Sequence, residues 1–180
     1  MSALVLGLDP SLTCYGWAVL SLDRRVIAAG CLRTKPDTKS RHTYQADKDG
    51  VRLDALARGL LDVLRTHDVA LIACEAPAGA QSATAAKALG QSYGVTRAIL
   101  VALERHALTI QAHEVKRAIG GSDGATKEEV AAGVEQLTAW RSSASSQPAR
   151  EGEADAAAVA LTAMRSPACD ALRSARSPSS

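Results

Sequence analysis

Two patterns of apolar residues alternate along the chain. Short apolar runs that end at polar or turn-forming residues are typical of buried β-strands, whereas apolar positions that recur every three or four residues are typical of amphipathic helices. The first pattern predicts strands at residues 3–8, 15–20, 26–32, 69–74 and 108–112. The second predicts helices at residues 51–66, 83–106, 126–140 and 153–164.

The segments outside these elements are polar. Residues 34–50 carry charges of both signs, and residues 142–152 are rich in serine, so both segments predict loops. Residues 165–180 contain serine, proline and arginine without periodicity, which predicts a disordered tail. We therefore expect one folded domain at residues 1–164.

The order of the elements predicts an α/β domain. Short connectors join the first three strands, which favours an antiparallel meander. The first and fourth strands are separated by a helix and could lie side by side in parallel, with their C-terminal ends together. Asp9 follows the first of these strands and Glu75 follows the fourth, so this pairing would bring two carboxylates to one edge of the sheet.

A third acidic residue, Asp155, lies near the start of an otherwise apolar helix that must pack on the sheet. Each acid also has a simpler interpretation: Asp9 as a turn residue, Glu75 as the partner of a basic side chain, and Asp155 as a residue favoured by the helix dipole. Three converging carboxylates would repel one another unless a divalent cation joined them. Magnesium or manganese suits such oxygen ligands, and two ions could support phosphodiester cleavage.

Composition limits the alternatives without deciding between them. The chain has 180 residues and 47% hydrophobic content, which suits one globular domain, and its net charge of +2 does not by itself indicate a nucleic-acid-binding protein. We see no basic leader before the first apolar run and no apolar run long enough to span a bilayer. Without a C-x-x-C pair, the four cysteines are expected to be reduced thiols of a cytoplasmic protein: Cys14, Cys31, Cys74 and Cys169.

Several short motifs, taken together in this order and spacing, resemble the RuvC family of Holliday junction resolvases. The resemblance covers about residues 4–162. The motifs that carry it are Leu6-Gly7-Leu8-Asp9-Pro10-Ser11, Gly30-Cys31-Leu32-Arg33-Thr34, Ile72-Ala73-Cys74-Glu75, Leu89-Gly90-Gln91 with Gly94-Val95, Val115-Lys116, and Ala154-Asp155-Ala156.

The resemblance implies a ribonuclease H-like fold, with a mixed five-stranded sheet and helices on both faces. It also implies an endonuclease that nicks opposed strands of a four-way DNA junction symmetrically, in recombination and repair, with Mg²⁺ or Mn²⁺. The family works as a homodimer with two active sites, and a branch-migration complex is a possible further partner. The small residues Gly90 and Gly94, four apart on one helix face, suit the dimer contact.

The resemblance also implies roles for individual residues. Asp9, Glu75 and Asp155 match metal-binding catalytic carboxylates. Lys116 and Lys127 match positions near the scissile phosphate, where a positive charge would steady the phosphate, although ordinary solvated lysines are the alternative. We expect the neighbouring Arg117 to contact DNA as well.

The chain departs from the family pattern at two places. The family has a fourth acid or a histidine three residues before the Asp155 position, where this chain has Gly152. Glu151 could take its place if the helix extends back, whereas Glu153 could do so only from a non-helical start.

The family also has an aromatic wedge after the Glu75 position, where this chain reads Ala76-Pro77-Ala78-Gly79-Ala80. Stacking at the junction would then be weaker or come from Tyr44 or Tyr93. Three alternatives stay open. The missing wedge favours a less selective phage-type nuclease for branched DNA, and Gly152 favours a junction-binding protein that has lost catalysis. An actin-like nucleotide-binding relative shares an Asp-ended first strand, but the chain is short for its usual two lobes.

Overall fold

The computed structural model describes residues 3–38, 44–80 and 82–175, and it contains a mixed five-stranded sheet with helices on both faces. The strands are β1 (Leu4–Asp9), β2 (Cys14–Ser21), β3 (Val26–Arg33), β4 (Val69–Glu75) and β5 (Ala107–Ile110). The helices are α1 (Gln45–Thr66), α2 (Ala83–Ala102), α3 (Ala112–Val115), α4 (Lys127–Thr138), α5 (Gln147–Ala163) and α6 (Pro167–Ser174). A π-helical turn, Lys116–Gly120, continues α3.

The sheet has the strand order β3-β2-β1-β4-β5. β1, β2 and β3 form the expected antiparallel meander, while β1 pairs in parallel with β4, and β4 with β5. Leu8 is the register partner of Cys74, so the residues that follow them, Asp9 and Glu75, lie side by side at the ends of their strands. The predicted parallel pairing of the first and fourth strands is therefore confirmed.

Each face of the sheet has its own hydrophobic core because side chains alternate along a strand. Leu6 and Leu8 of β1 belong to the core with α1 and α2, whereas Val5 belongs to the core with α4, α5 and α6. This arrangement makes three layers, with the sheet in the middle.

Helix α5 lies unusually close to the sheet because two glycines face it. A Cβ atom at Gly7 would be 2.0 Å from the carbonyl oxygen of Ala156, and one at Gly16 would be 2.0 Å from that of Gly152. The alanines of α5 that face the sheet are fully buried. Main chain therefore packs on main chain, and this contact fixes where Asp155 stands above β1.

Two helices begin earlier than the sequence predicts. Residues 45–50, expected in a loop, form the first turns of α1, where buried Asp49 accepts hydrogen bonds from Gln45 and Lys87, both at 2.9 Å. Residues 39–43 of that expected loop lie outside the described residues. Helix α5 begins at Gln147 rather than at residue 153, and Pro148 suits its first turn because the amide that proline lacks has no partner there.

The chain after α5 also differs from expectation. A disordered tail from residue 165 is the wrong prediction for Pro167–Ser174, which form α6. The Ser166 side chain caps this helix by accepting from the amide of Cys169, whose side chain is fully buried. Residues 176–180 of the expected tail lie outside the described residues.

The cysteines differ from expectation as well. Cys14 and Cys31, on the adjacent strands β2 and β3, form a disulfide, so the expectation of four reduced thiols is wrong for this pair. Cys74 and Cys169 are free and buried. Among the described helices, none is both long and apolar enough to cross a membrane.

Candidate active site

The three acidic residues singled out in the sequence line one cavity of about 200 Å³ at the C-terminal edge of β1 and β4. Asp9 ends β1, Glu75 ends β4, and Asp155 reaches the cavity from α5. Lys116 and Lys127 line the same cavity. Residues far apart in the chain thus converge at one place, as the predicted strand pairing requires.

Burial and mutual repulsion make the carboxylates of this cavity hard to ionise. Burial, Asp155 and Glu75 raise the pKa of Asp9 to about 8. Burial and Asp155 raise the pKa of Glu75 to about 7, against the opposing charges of Lys127 and Lys116. Burial also raises the pKa of Asp155, although Lys127 partly offsets it. The cavity therefore holds more acidic groups than its two lysines can neutralise.

Lys127 contacts these acids directly. Its Nζ atom lies 3.5 Å from Oδ2 of Asp155 and 3.7 Å from Oε2 of Glu151, and the charge of Asp155 is the main cause of its raised pKa. The predicted capping box fixes the helix start next to it: Thr126 Oγ1 accepts from the amide of Glu129, whose side chain accepts from the amide of Thr126. This rigid start holds Lys127 at the mouth of the cavity.

The two other basic candidates differ from each other. Lys116 opens the π-helical turn and faces the cavity. Arg117 instead donates two hydrogen bonds to Asp123, from Nε at 2.6 Å and from Nη2 at 2.7 Å. Its guanidinium group is therefore already engaged by a carboxylate.

The surroundings of Gly152 show which of the neighbouring acids, Glu151 or Glu153, lies near Asp155. Gly152 is buried against Gly16 of β2, so its position does not face the cavity. Because α5 extends back to Gln147, Glu151 lies one turn before Asp155 and shares its contact with Lys127. Glu153 points elsewhere, since it accepts a hydrogen bond from Ser142. The geometry favours Glu151 over Glu153.

The donor set of the cavity suits a hard divalent cation, since it consists of carboxylate oxygens with few basic partners. In the described ranges, no group of three acidic, histidine or cysteine side chains is already arranged to hold an ion. The Lys127 ammonium group, which contacts Asp155 and Glu151, supplies part of the positive charge that a metal would bring. The cavity is therefore chemically suitable for a metal, with side chains that must turn to bind it.

A groove beside the cavity was not predicted from the sequence. It runs between the β1–β2 loop and the start of α2, and apart from Leu12 and Leu89 it is lined mostly by small residues, including Ala78, Gly79 and Ala80. Of the two candidate aromatics, Tyr44 precedes α1 with 82% of its surface exposed, whereas Tyr93 packs against the core under α2. Of this pair, Tyr44 is therefore the one accessible for stacking.

Comparison with known proteins identifies related sequences and structures. A family model described as "Crossover junction endodeoxyribonuclease RuvC" matches residues 5–163. A curated protein of that name from Psychromonas ingrahamii is 28% identical over 138 residues, which are 75% of this chain and 74% of that protein. The protein of the same name from Pseudomonas syringae pv. tomato is 33% identical over 133 residues, which are 71% of this chain and 69% of that protein.

Two solved structures share the architecture. Thermus thermophilus RuvC in complex with a Holliday junction substrate superposes with a TM-score of 0.71 at 23% identity and covers 89% of this chain and 92% of its own. A second structure of Thermus thermophilus RuvC gives a TM-score of 0.70 at 22% identity and covers 88% of this chain and 92% of its own. These likenesses confirm the expected ribonuclease H-like α/β fold.

Proposed function

The chain belongs to the RuvC family of crossover junction endodeoxyribonucleases, and we propose that the cavity between Asp9, Glu75 and Asp155 is its active site. The protein is accordingly an endodeoxyribonuclease that resolves four-way DNA junctions in recombination and repair. Its nuclease domain is residues 1–164, against which α6 packs. Because a junction resolvase acts on cellular DNA, we propose that the protein works in the cytoplasm.

One observation carries the assignment of the site: three carboxylates from separate parts of the chain share a cavity that keeps them partly buried and raises their pKa values. Such an arrangement costs stability and becomes favourable when cations bind. We expect Mg²⁺ or Mn²⁺, with two ions per site. Bound there, the metal would lower the pKa of a water molecule and stabilise charge on the phosphate oxygens.

The residues of the chain position the reacting groups. Asp9, Glu75 and Asp155 would hold the metal, and Glu151 would complete the set from one turn earlier on α5. Lys116 faces the cavity from the π-helical turn and would bind the scissile phosphate. Lys127 would do the same, although in the free protein it neutralises acidic groups.

Arg117 has a smaller role in this proposal. It contacts DNA only if its paired hydrogen bonds to Asp123 are broken or shared with a phosphate. Its contribution to binding is therefore expected to be weaker than that of Lys116.

The exposed face of α2 is the proposed dimer interface. Apart from the backbone of α2 itself, no described residue comes within 4 Å of a Cβ added at Gly90 or Gly94. Val101 continues this face with 69% of its surface exposed. A second copy could thus approach the helix closely, and each copy would bring one active site to the junction.

Light scattering tests this interface. The wild type should give twice the monomer mass, and Gly94→Arg should give the monomer mass. A wild-type monomer would contradict this interface. A branch-migration complex is a further proposed partner.

Cleavage of a synthetic four-way junction tests the proposed site. With Mn²⁺ or Mg²⁺, the wild type should produce paired nicks in opposed strands. Asp9→Asn and Glu75→Gln should still bind the junction but cut at least about 10³-fold more slowly, because each loses a metal ligand. Asp62→Asn is a matched control, since Asp62 is exposed on α1 and pairs with Arg65, away from the cavity. Equal cleavage by Asp9→Asn and wild type would refute the proposal.

The small residues beside the cavity favour a second candidate, a less selective nuclease for branched DNA. Ala76 and Ala78 stand in the groove where an aromatic side chain would wedge the junction. Equal cleavage rates on junctions, flaps and linear duplexes would support this alternative. A strong preference for junctions that is lost in Tyr44→Ala would instead assign the stacking role to Tyr44.

A further inference from the structure

Three arginines line a separate polar cavity of about 180 Å³. Arg24 lies in the β2–β3 turn, Arg165 lies two residues after the end of α5, and Arg173 belongs to α6. Asp170 is the acidic residue among the lining side chains. The cavity wall therefore carries a net positive charge, in a chain whose net charge is only +2.

The cavity lies at the end of the sheet opposite to the active site. Asp9 ends β1, and because β2 runs antiparallel to β1, the turn after Ser21 is at the far end, next to Leu4. Helix α5 runs the same length, with Asp155 near the catalytic edge and Arg165 just beyond its last turn. The arginine cavity is thus distinct from the carboxylate cavity.

Two of the three guanidinium groups have no partner within the described part of the chain. Arg173 donates to the Met164 carbonyl oxygen at 3.0 Å and to Asp170 at 3.1 Å, so its orientation is fixed by the protein. For Arg24 and Arg165, the structure shows no side-chain hydrogen bond or ion pair to any described residue. Arg173 therefore caps the C-terminus of α5, whereas Arg24 and Arg165 make no such contact with the described residues.

The backbone of Arg24 adds an independent observation. Its φ angle is 67°, in the left-handed region that favours glycine, and its amide donates to Ser21 at 2.8 Å to close the turn. An arginine at such a position is unfavourable for the turn itself. Positive φ angles at non-glycine residues occur in tight hairpin turns and at functional sites, so the turn alone did not require an arginine here.

We propose that this cavity binds a phosphate group. Guanidinium groups from three elements can surround the oxygen atoms of phosphate and donate charge-assisted, paired hydrogen bonds to them, as the planar arginine head group does best. Asp170 keeps Arg173 in place and leaves Arg24 and Arg165 as the main donors. The phosphate could belong to a DNA backbone or to a small phosphate compound, and the test separates these sources.

The test measures binding of inorganic pyrophosphate by calorimetry at constant ionic strength with EDTA present. Arg24→Gly is the best variant, because glycine suits the positive φ angle and the turn should keep or gain stability. Arg24→Gly and Arg165→Ser should each raise the pyrophosphate dissociation constant about 5- to 10-fold. Arg65→Ser is the matched control, since Arg65 is exposed on α1, on the other face of the sheet, and it should bind as the wild type does.

The proposal would be overturned if both cavity variants bound pyrophosphate with the wild-type affinity. It would also be overturned if the wild type bound no pyrophosphate at about 20 mM, a concentration at which even a weak site would be occupied. A second measurement uses a linear 20-base-pair duplex and fluorescence anisotropy at several salt concentrations. The variant that carries both Arg24→Gly and Arg165→Ser is compared with the wild type. If the slope of its salt dependence shows about one to two fewer phosphate contacts, the DNA backbone supplies the phosphate. If only pyrophosphate binding is lost, a small phosphate compound supplies it. Junction cleavage does not enter either readout, so the active-site proposal stands or falls separately.

Discussion

Replacing Asp9 by asparagine should make the metal-free protein more stable at alkaline pH. The pKa of Asp9 is about 8 in the folded chain, against 3.8 for an aspartate in an unfolded chain, so the folded state holds its proton more tightly. Proton linkage then makes the free energy of unfolding decrease as pH rises between these two values. Asparagine carries no charge at any of these pH values and removes this dependence.

The size of the effect follows from the two pKa values. Their separation corresponds to a ceiling of about 5 to 6 kcal/mol, of which about 4 kcal/mol falls between pH 5 and pH 8. Asp9 is partly accessible and shares the cavity with Glu75 and Asp155, so water and changes in their ionisation reduce the value. We expect about 2 kcal/mol of wild-type stability to be lost from pH 5 to pH 8 through Asp9.

The assay is urea unfolding in EDTA at pH 5, 6, 7 and 8, followed by far-UV circular dichroism. Asp9→Asn should flatten the profile and exceed the wild type at pH 8, whereas Asp62→Asn should follow the wild-type profile. Millimolar Mg²⁺ should stabilise the wild type at pH 8 more than Asp9→Asn, because binding to the folded state alone adds to its stability. Parallel profiles for wild type and Asp9→Asn in EDTA would refute the electrostatic account of the cavity.

Three further predictions concern packing and ligands. Gly7→Ala should lower the free energy of unfolding by about 3 kcal/mol or more, because its Cβ would meet the main chain of α5. Gly50→Ala, where no described residue comes within 4 Å of the added Cβ, should be neutral or slightly stabilising, and urea unfolding compares the two variants. Lys127→Met should cut the junction at least about tenfold more slowly yet bind Mn²⁺ no more weakly by calorimetry, since a competing cation has left the acids. Glu151→Gln should weaken Mn²⁺ binding about 3- to 10-fold and Glu153→Gln should not, and the reverse order would exclude Glu151 as the fourth ligand.

The central part of the site was predictable because its signals are local. Asp9 and Glu75 each end a short apolar run, and parallel pairing of those two strands leaves the acids at one edge whatever the loops do. The capping box at Thr126 is equally local, and it is present in the structure. These features depend on side-chain type and spacing alone, which is the information that a single sequence contains.

The missed features depend on contacts between distant residues. Serine and proline before α5 are compatible with a loop or with a helix start, and packing of Ala149 decides for the helix. Helix α6 is short and is stabilised by burial of Cys169, which its sequence does not reveal. The Cys14–Cys31 bond joins neighbouring strands whose register is known only once the sheet is formed.

The glycines under α5 also bear on how this enzyme can change over evolution. Where interlocking side chains separate a helix from a sheet, each substitution of such a side chain changes the distance between the two elements. Functional groups on the helix and on the sheet then shift relative to one another. Here the gap is set by Gly7 and Gly16 touching the carbonyls of the helix, so the alanines around them can be exchanged for similar small residues while the distance from Asp155 to Asp9 is conserved. The alignment of the two proposed metal-binding carboxylates therefore depends on two positions that have no side chain.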